Sequence, residues 1–278
     1  MIGIWLSILG ALFGEISFSL EKEVLTTRLR RLAALGFLQS AVSFLFYAGY
    51  AVLVPGSLVF SWASLPTVIA GLILDIAQTF VVLYAIAKAD RSSFGFVRTL
   101  SLPLLLIVDL LLGYPLRTGQ IIGVILIFSF LALLTAGHGL RKRGIWLVLF
   151  SAVNSAATVS LYKYNITHFN SVTMAQGTTY FFITLSFAMT CIFWRESPFK
   201  ILRQPKASGS IISSGLSALV SGFAYRFGPA SLILAIQRAA GVFWAVIAGR
   251  ARFHETHFRI KAASLIGCIL GIALLILG

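Results

Sequence analysis

Long apolar stretches separated by short polar connections run along the whole chain. As a helix, each stretch is long enough to cross a bilayer, because roughly 20 residues at about 1.5 Å of rise each cover the hydrocarbon core. The pattern therefore predicts an all-α membrane protein with ten transmembrane helices. The predicted spans are 2–20, 32–54, 62–87, 92–113, 118–137, 144–162, 171–194, 208–226, 229–249 and 259–277.

The composition supports lipid as the solvent. Hydrophobic residues make up 59% of the chain and charged residues only 11%, whereas a soluble domain carries about 25% charged residues. The net charge of +14 would suggest nucleic acid in a soluble protein, but here Lys and Arg cluster in the connections, where they encode topology. We expect the lipid bilayer as a partner and no nucleic acid.

The eighth span, 208–226, is rich in Ser and Gly. Ser213, Ser217 and Ser221 recur every four residues, which puts them on one face of a helix. A stripe of small residues lets helices approach closely in lipid. The segment is therefore predicted to be a helix that packs closely against another helix.

The two halves of the chain are similar to each other. A constant offset of 141 residues relates several short identities, and two units of five helices each, 1–140 and 141–278, are the simplest description of them. The matches are Gly3-Ile4-Trp5-Leu6 with Gly144-Ile145-Trp146-Leu147, Lys22 with Lys163, and Tyr84 with Tyr225.

An odd number of helices makes the second unit enter the membrane from the side opposite to the first. The basic residues agree with this, since the connections on one side hold 18 Lys and Arg residues and those on the other side hold 3, while Arg238 lies inside a span. The positive-inside rule places the basic side in the cytoplasm. We therefore expect a multi-pass protein of the cell (inner) membrane, built as two inverted five-helix repeats, with both chain ends outside the cytoplasm.

Each half closes with a similar arrangement of Pro, Gly and aromatic residues. The first half has Ser101-Leu102-Pro103, Leu112-Gly113-Tyr114-Pro115-Leu116 and Ile121-Ile122-Gly123, and the second has Arg226-Phe227-Gly228-Pro229-Ala230-Ser231, Phe253-His254-Glu255 and Leu265-Ile266-Gly267. These motifs resemble the drug/metabolite transporter superfamily, specifically its EamA-like branch, which implies a ten-helix transporter. Two features depart from that branch: Tyr114-Pro115 replaces a Glu-Arg pair, and its members keep both ends in the cytoplasm.

The first span carries Ala11-Leu12-Phe13-Gly14-Glu15. This segment is similar to the alanine-x-x-x-glutamate motif of the small multidrug resistance relatives. The resemblance implies that Glu15 binds protons and cationic substrates in competition. The second half has Ala156 at the equivalent place, so the implication concerns Glu15 alone.

Five ionisable residues lie inside predicted spans, where a charge is costly unless it is paired or faces water. They are Glu15, Asp75, Arg98, Asp109 and Arg238. Arg98 and Arg238 fall in the fourth spans of the two halves, where a pair of guanidinium forks could clamp a carboxylate or phosphate. They could equally neutralise Glu15 and Asp75 as structural ion pairs. Glu15 is a candidate proton-coupling carboxylate, with a solvated helix end as the alternative, and Asp109 is expected near the interface.

Neutral polar residues inside the spans are candidates for lining the same cavity. They are Gln237, Asn154, Gln176 and Tyr225, and each could instead form an interhelical hydrogen bond. Pro103 inside the fourth span lacks a backbone N–H and is expected to bend that helix.

No arrangement typical of an enzyme or a metal site appears in the sequence. All four His residues fall in predicted connections, and His254-Glu255-Thr256-His257 lacks the i, i+4 spacing of a zinc-protease helix. Cys191 and Cys268 lie in apolar segments without metal-ligand spacing, and we expect them to be packing residues. The sequence therefore predicts no enzyme activity, no metal and no cofactor.

These patterns favour a secondary transporter that moves a small metabolite or drug-like molecule by alternating access, either coupled to ions or protons or facilitative. The third, fourth, eighth and ninth spans are predicted to line a central cavity, with the first and sixth beside them and the fifth and tenth closing the bundle. Two alternatives stay open: a flippase for a lipid-linked substrate on the same fold, and a non-transporting membrane scaffold. Association as a homodimer also stays open.

Overall fold

The structure, a computed structural model, describes residues 1–24, 29–111, 118–136, 144–228, 230–254 and 258–277. Within these ranges the chain forms eleven α-helices, three short 3-10 helices and no β-strand, so the predicted all-α class is confirmed. The α-helices are α1 Ile2–Val24, α2 Leu29–Leu53, α3 Leu65–Lys88, α4 Arg91–Arg98, α5 Ser101–Leu111, α6 Thr118–Ala136, α7 Ile145–His168, α8 Val172–Phe193, α9 Pro205–Ala224, α10 Ala230–Ala251 and α11 Phe258–Leu277.

Six helices in the described part of the chain are long and apolar enough to cross a membrane. They comprise 22 to 27 residues each and correspond to α1, α2, α3, α7, α9 and α10. Large apolar side chains on them are exposed, among them Trp5, Ile73 and Trp146, the last at 80%. Such a surface is stable in lipid rather than in water. The fold is therefore that of a multi-pass membrane protein.

Two helices continue beyond their predicted spans. α7 reaches His168, so Lys163 and His168 lie on a helix and not in a connection as predicted. Within this last part of the helix, Thr167 Oγ1 donates to the Lys163 carbonyl at 2.7 Å. In the same way α1 reaches Val24. Hydropathy marks the apolar part of a helix and not its end, which explains the difference.

The fourth predicted span is broken into α4 and α5. α4 ends at Arg98 and α5 begins at Ser101. Pro103 has no N–H to bond the carbonyl of Thr99 four residues earlier. A tighter bond replaces it, from the Leu102 N–H to that carbonyl at 3.0 Å. The helix is thus interrupted at residues 99 and 100, in the turn before Pro103, where the sequence predicts a bend.

α1 and α9 run antiparallel along each other in close contact. The stripe of small residues predicted in α9 is confirmed at two positions, since Ser217 Oγ donates to the Gly10 carbonyl at 2.7 Å and Ser221 faces Gly10. A Cβ on Gly10 would lie 3.2 Å from the Ser221 backbone nitrogen. The contacts in order along α1 are Gly3 with Phe227, Gly10 with Ser221, Gly14 with Ser217, and Glu23 with Lys206.

The remaining helices pair mostly across the middle of the sequence. α2 packs along α8, α3 along α7, and α6 along α11. α10 contacts α1, α4 and α11. Each of the four most extensive helix–helix contacts thus joins a helix before residue 140 to a helix after it.

Lysines cap the ends of two helices at opposite ends of the bundle. Lys22 Nζ donates to the Ala89 carbonyl at the end of α3 at 2.7 Å. Lys163 Nζ donates to the Tyr225 carbonyl at the end of α9 at 2.9 Å. α7 starts with Gly144 against Ala89 and reaches Tyr225 through Lys163, so it runs opposite to α1. We call the two ends of the bundle the Glu23 end and the Tyr225 end.

Cys191 lies in an apolar core with residues of α2 and α8. It is 4% exposed and belongs to the same cluster as Leu35 and Phe187, so its predicted packing role is confirmed. The side chains of Cys268 and Asp109, and the residues 112–117, 137–143 and 255–257, lie outside the described part of the chain.

The α1–α9 contact predicts a steric effect of Gly10→Val. The new side chain would meet the backbone of Ser221, which cannot move aside, so we expect the variant to lose about 2 kcal/mol of stability. Gly49→Val is the matched control, because no atom lies within 4 Å of a Cβ at Gly49. Thermal unfolding in detergent measures both, and equal melting temperatures would contradict the close contact.

Candidate functional site

Two adjoining cavities lie between the helices near the middle of the bundle. They have volumes of about 180 and 260 Å³ and share Gly14, Phe18, Ser217 and Ser221 in their walls. We call them together the central cavity. Residues of α1, α4, α8, α9 and α10 line it. The predicted lining by the fourth, eighth and ninth spans agrees with this, whereas the third span does not contribute a wall residue within the described part of the chain.

Six of the eight predicted site residues line the central cavity. Glu15, Arg98, Gln237 and Arg238 face the first of the two cavities. Gln176 and Tyr225 face the second. Residues far apart in sequence are thus brought together, because α1 packs along both α9 and α10.

Arg238 is held in the cavity wall by two hydroxyl groups. It lies at the middle of α10, and its Nε donates to Ser101 Oγ at 3.1 Å while its Nη2 donates to Ser155 Oγ at 2.7 Å. Ser101 is the first residue of α5, so the break after Arg98 places this acceptor. Neutral hydroxyls orient the guanidinium without cancelling its charge. Neither hydroxyl therefore neutralises the guanidinium, which faces the cavity together with Glu15.

Arg98 lies on the opposite side of the same break, against two aromatic rings. Its guanidinium carbon is 5.1 Å from the centroid of the Phe94 ring and 5.7 Å from that of Phe18. The two rings meet edge to face at 5.6 Å. Contacts of this kind favour a cation over an aromatic face and limit its movement. The rings thus hold the Arg98 side chain at the cavity wall.

Gln237 presents a hydrogen-bond donor to the site. Tyr225 OH donates to Gln237 Oε1 at 3.2 Å. The Gln237 Nε2 atom is buried and has no hydrogen-bond partner among the described residues. Buried polar atoms nearly always have a partner. An acceptor on a bound molecule would supply one here.

Glu15 is the acidic member of the central cavity. It is 7% exposed and interacts electrostatically with Arg238. The site therefore combines two guanidinium groups, one carboxylate and one amide donor within a mostly apolar bundle. Such a set can bind an anionic group and a second, polar or cationic group at the same time.

Four tyrosines, which the sequence analysis missed except for Tyr225, form the wall toward the Tyr225 end. The rings of Tyr47 and Tyr180 stack with centroids 6.0 Å apart, and those of Tyr162 and Tyr225 meet edge to face at 5.7 Å. Tyr162 OH donates to the Gly222 carbonyl at 3.0 Å. From the sequence alone, aromatic residues inside spans are interpreted as packing residues. Only the structure shows that these four rings lie together and form a wall.

A vestibule of about 580 Å³ lies at the Tyr225 end, beyond the tyrosines. Lys163 and Arg226 are its charged lining residues, and no acidic residue lines it in the described part of the chain. Phe223 lines it as well, and its ring is 6.2 Å from that of Tyr47. The vestibule and the central cavity are therefore separated by aromatic rings.

The Glu23 end is closed by an ion cluster. Glu23 pairs with Lys206 at 2.5 Å and also with Arg252. These contacts join the ends of α1 and α10 to the start of α9. Both cations are largely exposed, at 59% and 43%, so the cluster contributes at most about 1 kcal/mol. A weak closure of this kind can open readily.

A buried polar cluster links α1, α2 and α9 on the way to the Glu23 end. Glu21 is 2% exposed, and its Oε1 accepts from Ser17 Oγ and Gln39 Nε2, both at 2.7 Å. Gln39 Nε2 also donates to Ser210 Oγ at 3.0 Å. The sequence analysis placed Glu21 outside the first span and missed it. The four residues fix the three helices relative to each other.

Asn154 and Asp75 do not line the central cavity. Asn154 Nδ2 donates to the Leu74 carbonyl at 2.8 Å and to Gln78 Oε1 at 2.9 Å. Gln78 Nε2 in turn donates to Ser151 Oγ at 2.8 Å. These bonds join α7 to α3. Asp75 lines a separate small cavity between α3, α7 and α8.

Side chains that could bind a metal ion do not cluster in the described part of the chain. No group of three or more His, Cys, Asp or Glu side chains that could hold a metal ion occurs among the residues that the structure describes.

Comparison with known proteins bears on the fold. No protein-family model matches the chain, and no curated protein matches its sequence. Among solved structures of similar fold, one described as "Crystal structure of protein" has a TM-score of 0.67 and 17% sequence identity, covering 98% of this chain and 96% of that chain. At this identity the similarity concerns the fold alone. The architecture thus occurs in another protein of nearly the same length.

The contacts of Asn154 predict a structural role. We expect Asn154→Ala to lower stability by about 1 kcal/mol, because the α3–α7 hydrogen bonds are lost, and to leave ligand binding at the central cavity unchanged. Unfolding in detergent and binding assays on the same preparation measure the two effects. A loss of binding at unchanged stability would instead assign Asn154 to the site.

Proposed function

We propose that this protein is a secondary transporter that moves a small metabolite or drug-like molecule across the membrane by alternating access. The observation that carries the proposal is the central cavity: Arg98, Arg238, Glu15 and Gln237 meet there, between helices of which α1, α9 and α10 are long and apolar enough to span a bilayer. Charged groups at such a depth are costly and typically mark a substrate pathway. In a non-transporting scaffold these charged groups would serve only to pair with each other, and a cavity between them would have no role.

We further propose ten spans arranged as two inverted repeats, 1–140 and 141–278. The opposite directions of α1 and α7 support this arrangement. The equivalent lysines Lys22 and Lys163 support it as well, since each caps a helix end of its own half at opposite ends of the bundle. α8 and α11, with 22 and 20 residues, are long enough to cross about 30 Å of hydrocarbon. The ten-helix EamA-like branch of the drug/metabolite transporters is the family we propose for the chain.

The substrate we propose carries an anionic group together with a polar or cationic one. The groups that line the cavity support this, because the guanidinium groups of Arg98 and Arg238 and the Gln237 amide can donate to an anionic group, whereas the Glu15 carboxylate can accept from a polar or cationic one. Binding would place the anionic group between the arginines. The combined size of the two cavities suits a metabolite rather than a polymer.

The present arrangement supports a state that is closed at the Glu23 end. The Glu23–Lys206–Arg252 cluster closes that end, while the vestibule with Lys163 and Arg226 approaches the cavity from the other. In the alternate state we expect the cluster to separate and the tyrosine wall to tighten. The charge bias would put the Glu23 end in the cytoplasm of a cell whose inner membrane holds the protein, with both termini outside.

The flippase alternative is favoured by one observation. An apolar groove of about 560 Å³ lies between α2 and α8, lined by residues such as Phe44, Met174 and Phe181, and reaches Tyr47 of the tyrosine wall. A lipid tail could occupy it while a head group entered the central cavity. Uptake of soluble radiolabelled metabolites into proteoliposomes favours the transporter, and scrambling of labelled lipids without such uptake favours the flippase.

Arg238→Gln tests the proposed site. We expect it to weaken substrate binding by about 2 kcal/mol, roughly a 30-fold rise in Kd, because the charge-assisted hydrogen bonds to the anionic group are lost. Uptake into proteoliposomes, screened with radiolabelled metabolites, should fall accordingly. Lys200→Gln removes the same charge from an exposed position of the Glu23 end and serves as the control.

Folding of both variants is checked by gel filtration and thermal unfolding. If Arg238→Gln transports at the rate of the unmodified protein while folding normally, Arg238 is not part of the site.

A further inference from the structure

Asp75 is a carboxylate in the middle of a membrane-crossing helix. It is the eleventh residue of the 24 in α3, about 15 Å of helix from its start and about 20 Å from its end at about 1.5 Å per residue. Its backbone carbonyl accepts from Thr79 Oγ1. Its side chain makes no hydrogen bond or ion pair with any residue that the structure describes. A carboxylate at this depth needs a partner to be charged.

The cavity beside Asp75 has room for about one small ion or water molecule. Its volume is about 30 Å³, which exceeds the minimum for a single water. Residues of α3, α7 and α8 line it, and neither Lys nor Arg is among the described residues in its wall. The oxygen-bearing side chains that line this cavity together with Asp75 are Thr67, Thr158, Tyr162, Asn165 and Thr179.

Three of these hydroxyl groups donate their protons to backbone carbonyls. Thr67 Oγ1 donates to the Ser64 carbonyl at 2.8 Å, and Thr158 Oγ1 donates to the Ser155 carbonyl at 3.3 Å. Tyr162 OH likewise donates away from the cavity, to Gly222. Lone pairs are what these oxygens offer to the cavity. Together with the carboxylate they form an acceptor-rich site of negative charge.

We propose that Asp75 and the oxygens around it bind one monovalent cation, a proton or Na⁺, whose gradient drives transport. A carboxylate at this depth needs a partner of opposite charge, and no described side chain supplies one. The bound cation would neutralise the Asp75 carboxylate instead. The hydroxyl oxygens add ligands of the kind that Na⁺ prefers. The assignment of the cation to transport rests on the proposed function, whereas the binding of the cation at Asp75 does not.

The site has a direct connection to the central cavity. Tyr162 lines the Asp75 cavity and its ring contacts that of Tyr225, whose hydroxyl donates to Gln237. Tyr180, which lines the central cavity, interacts electrostatically with Asp75. These two tyrosines are the titratable groups that face Asp75 from α7 and α8, and no described charged group faces it. Occupation of the site by a cation can therefore alter the tyrosine wall through Tyr162 and Tyr180.

Cation binding is tested on the full chain in detergent, without any transport substrate. Radioactive ²²Na⁺ binding measures the Na⁺ arm, and infrared difference spectra between acid and alkaline pH measure the proton arm through the carboxyl band of a protonated Asp. We expect one bound Na⁺ per chain or a titrating carboxyl band that belongs to Asp75. The chain has eight Asp and Glu residues, so this band is identified as the difference between the spectra of the unmodified protein and of the Asp75 variant. Asp75→Asn should lose whichever is present, and Glu196→Gln, which removes an acid outside the spans, should keep it.

Two further variants separate the outcomes. Thr158→Val should weaken Na⁺ binding but leave a titrating carboxyl group in place, so it distinguishes the two cations. Asp75→Glu keeps the carboxylate and shows an altered signal even if Asp75→Asn fails to fold. If neither Na⁺ binding nor a titrating carboxyl group depends on Asp75, the inference is overturned. Uptake that needs no ion gradient would overturn the coupling alone and leave the proposed transport function intact.

Discussion

Charged side chains at the depth of a bilayer must be enclosed by other helices, and the close contact of α1 with α9 provides the enclosure for Glu15. Gly10 and Gly14 face Ser221 and Ser217, so the two backbones approach along most of their length. α10 packs on α1 in turn and brings Arg238 to the same space. Larger residues at these contacts would separate the helices and expose the charges to lipid. The cavity therefore depends on small residues as much as on charged ones.

The interruption of the fourth span serves the same site. Pro103 cannot complete the helical hydrogen bond to Thr99, and the resulting break leaves Arg98 at one helix end and Ser101 at the start of the next. Ser101 then accepts from Arg238. Discontinuous helices are a common way of building polar sites inside membrane transporters.

The sequence predicts helices and candidate residues better than it predicts their partners. The lengths of the apolar stretches predicted the helices. The energetic cost of a charge inside a span singled out Glu15, Arg98 and Arg238, which the structure brings together. Periodicity says nothing about which helices meet, so Asp75 and Asn154 were grouped with a cavity that they do not line. The continuation of α1 beyond its apolar part concealed Glu21 and Glu23 for a related reason, because hydropathy ends before the helix does.

Alternating access of the central cavity is the most direct test of the account. Ser214, in the middle of α9, lines the cavity and can be replaced by cysteine in a chain whose Cys191 and Cys268 are serine. A membrane-impermeant thiol reagent is then added from one side of the membrane or the other. The account predicts labelling of the Ser214→Cys variant from both sides, in separate experiments. Labelling from one side only, or from neither, would contradict it.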